Sequence, residues 1–473
     1  MYSSKFVNIL ENRLFRNFSV LLSSNIVTSV VGMFTTIILA RNLSPNFYGE
    51  YGVILSYLSM LNVFSSFGIN TIITRDIARD NGLALKIFYS SNLVLILGFV
   101  ASILLSFLLF EINFIQFNIS YLYLVFLILL SNFISNNIQS VSFGVEKMEH
   151  IGIISLIISF STLLFYINLS KDFFSVKVIL LTLVFAGFLK NLLLYVTSNY
   201  RGIFNNQIFK FDEVIKYAFK LIKLGMPFYI MGFFSMFSNQ LPIQFLNNNS
   251  NFEEVAFFNT ANKLLLPITL FIGTALTAFF PTLSKLYTND FSKYKRDVIK
   301  ALKLIFLLGI VAATFFSLFK VEIVLLIFGI EYKDASNVLA YQVWFMLFFS
   351  IFNFIGSILS SSDNNWLLTF LSLAYCVVSV TILWFSSFYG AEMLSIGFLV
   401  SAIINLFYHW FFMEKILDWP FTFLNRTEFL LLLLIPALFL FLLPADLSIV
   451  VRLLLFLIII FTSLIYLIKT LKK

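Results

Sequence analysis

The chain has 473 residues, 60% of them hydrophobic and 11% charged, with a mean hydropathy of +0.97 and a formal net charge of +8. Soluble domains carry about 25% charged residues, so a chain this apolar cannot keep a water-exposed surface and has lipid as its main solvent. Its positive charges are spread over short connections rather than one face, which argues against nucleic-acid binding. One cysteine, Cys376, allows no intramolecular disulfide, and two distant histidines, His150 and His409, belong to no metal-ligand motif.

A crossing helix needs about 20 apolar residues. In chain order the apolar runs are 17–40, 47–68, 88–110, 119–140, 150–168, 175–197, 221–246, 256–282, 302–319, 337–361, 366–386, 390–414, 428–443 and 447–468. Backbone groups have no water partner in lipid, so these runs are helices; a barrel would show short alternating strands. The first run is too long for a cleaved signal and reads as an uncleaved first span. Pro444, Ala445 and Asp446 make a short hairpin between the last two runs, and a twelve-span count is the alternative. The expected fold is an all-α polytopic membrane protein of about 14 transmembrane helices, arranged as two pseudo-symmetric six-helix bundles plus two C-terminal helices.

Positive residues favour the cytoplasmic side. With the N-terminus inside, 23 of the 31 Lys and Arg lie on or beside inner connections. The outer side holds Arg41, Lys171, Lys177, Lys320, Lys333 and Arg452, and two lysines, Lys190 and Lys263, lie within spans. Both termini are therefore expected in the cytoplasm. The longest inner connections are about 198–220 and 283–301. The first carries Lys210, Asp212, Glu213, Lys216 and Lys220, a spacing that fits an amphipathic surface helix or an ordinary solvated loop. This predicts a first bundle at 1–200, a cytoplasmic linker at 201–220, a second bundle at 221–420 and a terminal pair at 421–473.

A weak internal repeat supports two halves. Tyr48-Gly49-Glu50-Tyr51-Gly52-Val53-Ile54 after span 1 parallels Val255-Ala256-Phe257-Phe258-Asn259-Thr260-Ala261 after span 7. Six spans separate them, so both halves have one orientation, with a substrate path between them. Spans 7 and 8 hold Pro227, Pro242, Pro267 and Pro281; Pro267 lies well inside its span, where proline kinks the helix, and is a candidate hinge.

Charge at a span centre costs at least about 2.5–3.5 kcal/mol. Lys263 is roughly 12 Å from the outer end of its span, and Lys190 is two-thirds through its own. No Asp or Glu lies near the centre of any span. Either these lysines snorkel, or they face a wet cavity whose preferred occupant is an anion. Neutral polar residues cluster at Ser23, Ser24, Asn25, Thr28 and Ser29; at Ser131, Asn132, Ser135, Asn136, Asn137 and Gln139; at Ser235, Ser238, Asn239, Gln240 and Gln244; and at Gln342, Ser350 and Asn353. Together they suit a cavity for a sugar-like head group. For any single Asn or Ser, helix–helix hydrogen bonding is the simpler role. The 62 Phe read as lipid-facing filler.

Several stretches have family likeness. Ala40-Arg41-Asn42-Leu43-Ser44-Pro45-Asn46-Phe47-Tyr48-Gly49-Glu50-Tyr51 resembles the first outer turn of bacterial polysaccharide exporters. Gly68-Ile69-Asn70 through Arg75-Asp76-Ile77-Ala78-Arg79 resembles the end of their second span, and Ala261-Asn262-Lys263-Leu264 and Phe280-Pro281-Thr282-Leu283-Ser284 the two ends of their eighth. Phe328-Gly329-Ile330-Glu331-Tyr332 with Ala335 resembles the segment before their tenth. In order and spacing these resemble the Wzx-type flippases, the O-antigen and capsule repeat-unit translocases of the multidrug/oligosaccharidyl-lipid/polysaccharide exporter superfamily. Ala256 departs from the family's usual Gly.

The resemblance implies a non-enzymatic carrier in the bacterial inner membrane, acting in surface polysaccharide and lipopolysaccharide biosynthesis. The implied substrate is undecaprenyl diphosphate bearing an oligosaccharide, with membrane lipid and other polysaccharide-assembly proteins as partners. The expected substrate contacts are Arg41, Arg75, Lys190 and Lys263 for the diphosphate and Asn25, Asn239 and Gln240 for the sugar. No cofactor is expected, and the coupling ion is left open. A cation-coupled drug antiporter of the same superfamily would use central carboxylates, and a polymerase or ligase a large outer loop. Here the longest, 320–336, is short.

Overall fold

The computed structural model describes residues 13–112, 114, 116–145, 148–197, 210–361, 365–417 and 448–471. The span expected at 428–443 and the cations Lys5, Lys147, Arg201, Arg426, Lys472 and Lys473 lie outside these described residues. The described residues are mostly helical, and none of them forms a strand. In order they form α1 (Arg13–Asn42), α2 (Pro45–Ser66), α3 (Asn70–Arg79), α4 (Ala84–Glu111), α5 (Leu122–Gly144), α6 (Glu149–Asn168), α7 (Val176–Thr197) and α8 (Phe211–Asn239). There follow α9 (Leu241–Asn249), α10 (Phe252–Asn289), α11 (Phe291–Leu318), α12 (Lys320–Ile327), α13 (Ala335–Ser361), α14 (Asn365–Ser386), α15 (Gly390–Leu417) and α16 (Ile449–Leu471). Nine helical segments among the described residues are long and apolar enough to cross a membrane. Two of them, 211–249 and 369–409, each contain two helices.

The chain divides after Asn248 into two compact units. In the first, α5 packs on α7, α2 and α4; α2 packs on α4; and α6 packs on α7. In the second, α13 packs on α15, α10 and α11; α10 packs on α11; and α14 packs on α15. The two neighbour sets correspond helix for helix when α2, α4, α5, α6 and α7 are matched with α10, α11, α13, α14 and α15. This is the internal repeat expressed as packing. The opening helix breaks the match. α1 packs on α6, whereas α8 packs on α4, α2 and α3 of the first unit. The sequence reading opened the second bundle at 221; in the contacts, α8 and α9 belong with the first unit.

α13 forms the heart of the second unit, with Trp344, Phe348 and Phe354 at most 1% exposed and the Trp344 indole donating to Ser317 Oγ at 3.0 Å. α16 docks on α11 through Phe456 against Phe315, ring centroids 5.4 Å apart. Arg452 fixes its first turn by donating to Leu318 O at 3.2 Å and pairing with Glu322 at 2.6 Å.

Of the inner connections, the described part of 198–220 is helix from Phe211, one of the two forms expected there, and 283–301 is helix but for Asp290. α8 starts at Phe211 and runs unbroken into the span, because Val214, Ala218 and Leu221 bury one face while Lys216, Lys220 and Lys223 stay exposed on the other. α10 reaches Asn289, and Asp290 alone separates it from α11, its side chain capping Lys293 N at 2.9 Å. Span 2 is α2 alone, close to the expected 47–68, and α3 follows it as a separate helix. Phe67 and Gly68 adopt φ of 45° and 65° and turn α2 into α3. A left-handed phenylalanine costs about 1–2 kcal/mol, and tight packing holds it there. A Cβ on Gly68 would lie 2.7 Å from Gly225 O, and one on Gly225 2.6 Å from Phe67 O. The connection 320–336, expected as a short loop, contains α12.

Candidate substrate site

Lys263 lies eleven residues into α10, about 16 Å along its axis. The helix presents Ala256, Thr260, Ala261, Leu264 and Leu265 to the core of the second unit, all buried. Asn259 and Lys263 are half-buried and Asn262 is exposed. Positions 259 and 263 are i and i+4, so they share a face, and Asn262 borders it. This polar stripe ends one turn before Pro267, itself exposed. Among the described residues no carboxylate pairs with Lys263. Asn259 and Asn262 stood inside motifs quoted from the sequence without being read as contacts. The missed signal was their spacing of four and one from the lysine.

Lys190 has different surroundings. It is half-buried on α7 with Ala186 and Leu194, both buried, one turn to either side on its face. The polar residue beside it is committed: Asn191 Nδ2 donates to Ser131 O at 2.9 Å and to Ser131 Oγ at 3.2 Å. Lys190 also lacks an ion pair among the described residues.

Arg75 already has an anion. Its guanidinium meets Asp76 Oδ1 at 2.8 Å, and Tyr217 Oη donates to Asp76 Oδ2 at 2.9 Å. That arrangement ties α3 to α8 and neutralises Arg75. Arg41 is exposed in the last turn of α1, where a cation favours the negative end of the helix dipole. Asn25 is exposed on the same helix, and its carbonyl accepts from Ser29 Oγ at 2.8 Å.

Asn239 and Gln240 sit where span 7 breaks. α8 ends at Asn239, Gln240 N donates to Met236 O at 2.8 Å, and α9 begins with Leu241-Pro242. Asn239 is exposed, its amide turned back to Ser235 O at 2.8 Å. Where a span breaks at membrane depth, backbone groups without helical partners can meet a polar ligand.

Many of the clustered polar residues instead fasten helices. Ser91 Oγ donates to Asn137 Oδ1 at 2.9 Å, and Asn137 Nδ2 to Asn92 Oδ1 at 2.6 Å, joining α4 to α5. Gln244 of α9 reaches Ser56 Oγ and donates to Val53 O at 3.1 Å on α2. In the repeat, Ser56 occupies the register of Lys263. That register is therefore closed by a glutamine in the first unit and holds a cation in the second. Glu50 accepts from Asn118 N at 3.3 Å and Glu254 from Ala391 N at 2.6 Å. Both acids cap neighbouring helices of their own unit.

Residues 14–287 match the family model described as polysaccharide biosynthesis protein. No curated protein matches the chain in sequence. Among solved structures, the lipid II flippase MurJ in an inward closed conformation is similar at a TM-score of 0.70 and 14% identity, over 96% of this chain and all of that one. A multidrug resistance MATE family transporter of the MOP superfamily, inward-facing, is similar at 0.63 and 15% identity, over 83% of this chain and 96% of that one. At such identities the likeness establishes the fold, that of a multi-pass membrane protein.

Proposed function

The chain belongs to the polysaccharide biosynthesis protein family, and on that premise we propose that it flips undecaprenyl-diphosphate-linked oligosaccharide repeat units from the cytoplasmic to the outer leaflet of the bacterial inner membrane. The observation that carries this reading is the polar stripe of α10, where Lys263 is held at membrane depth without a carboxylate. A lone intramembrane cation is costly unless it serves an anion. A diphosphate supplies that anion, and Asn259 and Asn262 beside it supply hydrogen-bonding groups for phosphate or sugar. The polyprenyl tail stays in the bilayer while the head group, which cannot cross hydrocarbon unaided, passes through a polar site.

Lys263 is assigned to the diphosphate, with Lys190 and Arg41 as further cations; Arg75 is given a lesser part because Asp76 already neutralises it. Asn25, Asn239 and Gln240 are assigned to the sugar. The chain is a carrier with no catalytic residues, and both its termini are placed in the cytoplasm. A cation-coupled drug antiporter is the second reading, favoured by the likeness to the multidrug transporter fold. It is weaker because the described spans lack a central carboxylate to hold a coupling cation.

Deleting the gene tests the proposal. Lipid-linked oligosaccharide should accumulate in the cytoplasmic leaflet, and surface polysaccharide should return with the wild-type gene but not with Lys263→Ala. Normal polysaccharide with no accumulated intermediate would remove the proposal.

A further inference from the structure

The second unit buries a polar cluster to which the proposed substrate site gives no task. It occupies one turn of α15: Asn405 and His409 are 0% exposed, and Tyr408 Oη is buried beside them. His409 Nδ1 lies 3.1 Å from the carbonyl oxygen of Asn405. A carbonyl only accepts, so Nδ1 carries the proton and Nε2 presents a lone pair. Nε2 has no protein partner, and neither do Asn405 Nδ2, Asn405 Oδ1 or Tyr408 Oη. Four buried polar atoms left open within one turn depart from the rule that such atoms are paired, and mark a place for a small polar occupant. The Phe352 ring of α13 stands edge-on to the imidazole at 4.7 Å, and Tyr375 of α14 packs on Phe352 at 5.6 Å.

We propose that Asn405, Tyr408 and His409 form a proton-binding site, with His409 Nε2 the atom that takes up and releases the proton during transport. The inference rests on the carrier reading above and names its coupling ion. The donor set selects a proton over a metal ion. A hard cation takes several oxygen ligands, usually with carboxylates among them; this turn offers Asn405 Oδ1 and Tyr408 Oη. The helices packed on α15 are α10, α13 and α14. α13 and α14 contain no charged residue, and their titratable groups are Tyr341, Tyr375 and Cys376. α10 carries Glu253, Glu254, Lys263, Lys285 and Tyr287; α15 itself adds Glu392, Glu414 and Lys415.

The proton comes from water as an N–H bond forms at Nε2, and returns to water when that bond breaks. No electron is transferred. An imidazolium packed against Phe352, with no carboxylate paired to it among the described residues, would favour a state in which α15 parts from α13 and α14 and water enters. Proton binding thereby shifts the balance between carrier states.

The chain has two histidines, so full-length protein in lipid nanodiscs with 15N-labelled histidine gives two imidazoles. His150, exposed at the start of α6, is the reference, and His150→Asn assigns the signals. The expected spectrum shows His409 as the Nδ1-H tautomer at high pH, with Nε2 gaining its proton as the pH is lowered. In proteoliposomes a pH gradient should accelerate flipping, and His409→Gln should lose that acceleration by about tenfold while flipping without a gradient persists. An Nε2 that never titrates, or a His409→Gln variant still driven by the gradient, overturns the proposal. If wild type and variant both fail to move the lipid under any gradient, the carrier reading falls, and the titration alone decides the site.

Discussion

At the level of single residues, Lys263 and Lys190 differ in company rather than in charge. Lys263 shares a face with Asn259 and borders Asn262, while Lys190 lies between Ala186 and Leu194. Replacing Lys263 with Ala is expected to reduce export at least about tenfold, and Arg to restore much of it, because either cation can pair a diphosphate. Lys190→Ala should have a smaller effect; quantified surface polysaccharide at matched expression distinguishes the two. Both lysines were legible in the sequence as charges inside apolar runs. Their ranking was not, because it depends on what surrounds each one in the folded unit. Arg75 shows the same limit. Its position invited a ligand role, yet it pairs with the adjacent Asp76, which the distant Tyr217 holds in place. A contact between residues 76 and 217 is invisible to any local pattern.

Among the elements, hydrophobic runs located the helices well, since backbone without water partners must be helical. Their breaks and extensions were harder to see. The bend at Phe67–Gly68 depends on a close approach to Gly225, more than 150 residues away along the chain. Gly225→Ala would place a Cβ 2.6 Å from Phe67 O, and overpacking of this kind costs about 1–3 kcal/mol. The variant should therefore unfold at lower temperature in detergent, measured by tryptophan fluorescence. Tyr217→Phe removes the hydroxyl that meets Asp76 and should cost about 1 kcal/mol, which the same melt resolves. Pro267 stays an element-level question. If it acts as a hinge, Pro267→Ala slows flipping without weakening substrate binding; unchanged flipping would remove that role.

Across the whole molecule, the repeat guessed from two seven-residue stretches reappears as two matching neighbour sets, each centred on its fourth span. Five helices keep their partners, and the opening helix does not: α8 packs on α4, α2 and α3 although it follows the first six spans in sequence. Binary patterning cannot reveal this, since both alternatives bury the same apolar face. The central claim is that the molecule moves a diphosphate-linked oligosaccharide across a bilayer, with Lys263 holding the anion. The most direct measurement is flipping of purified undecaprenyl-diphosphate oligosaccharide in proteoliposomes, followed by its accessibility to a glycosidase added outside. Wild-type protein should expose lipid from the inner leaflet, Lys263→Arg should retain most of that activity, and Lys263→Ala should expose little more than empty vesicles. Equal exposure with wild type and Lys263→Ala, or no exposure above empty vesicles with wild type, would contradict the account.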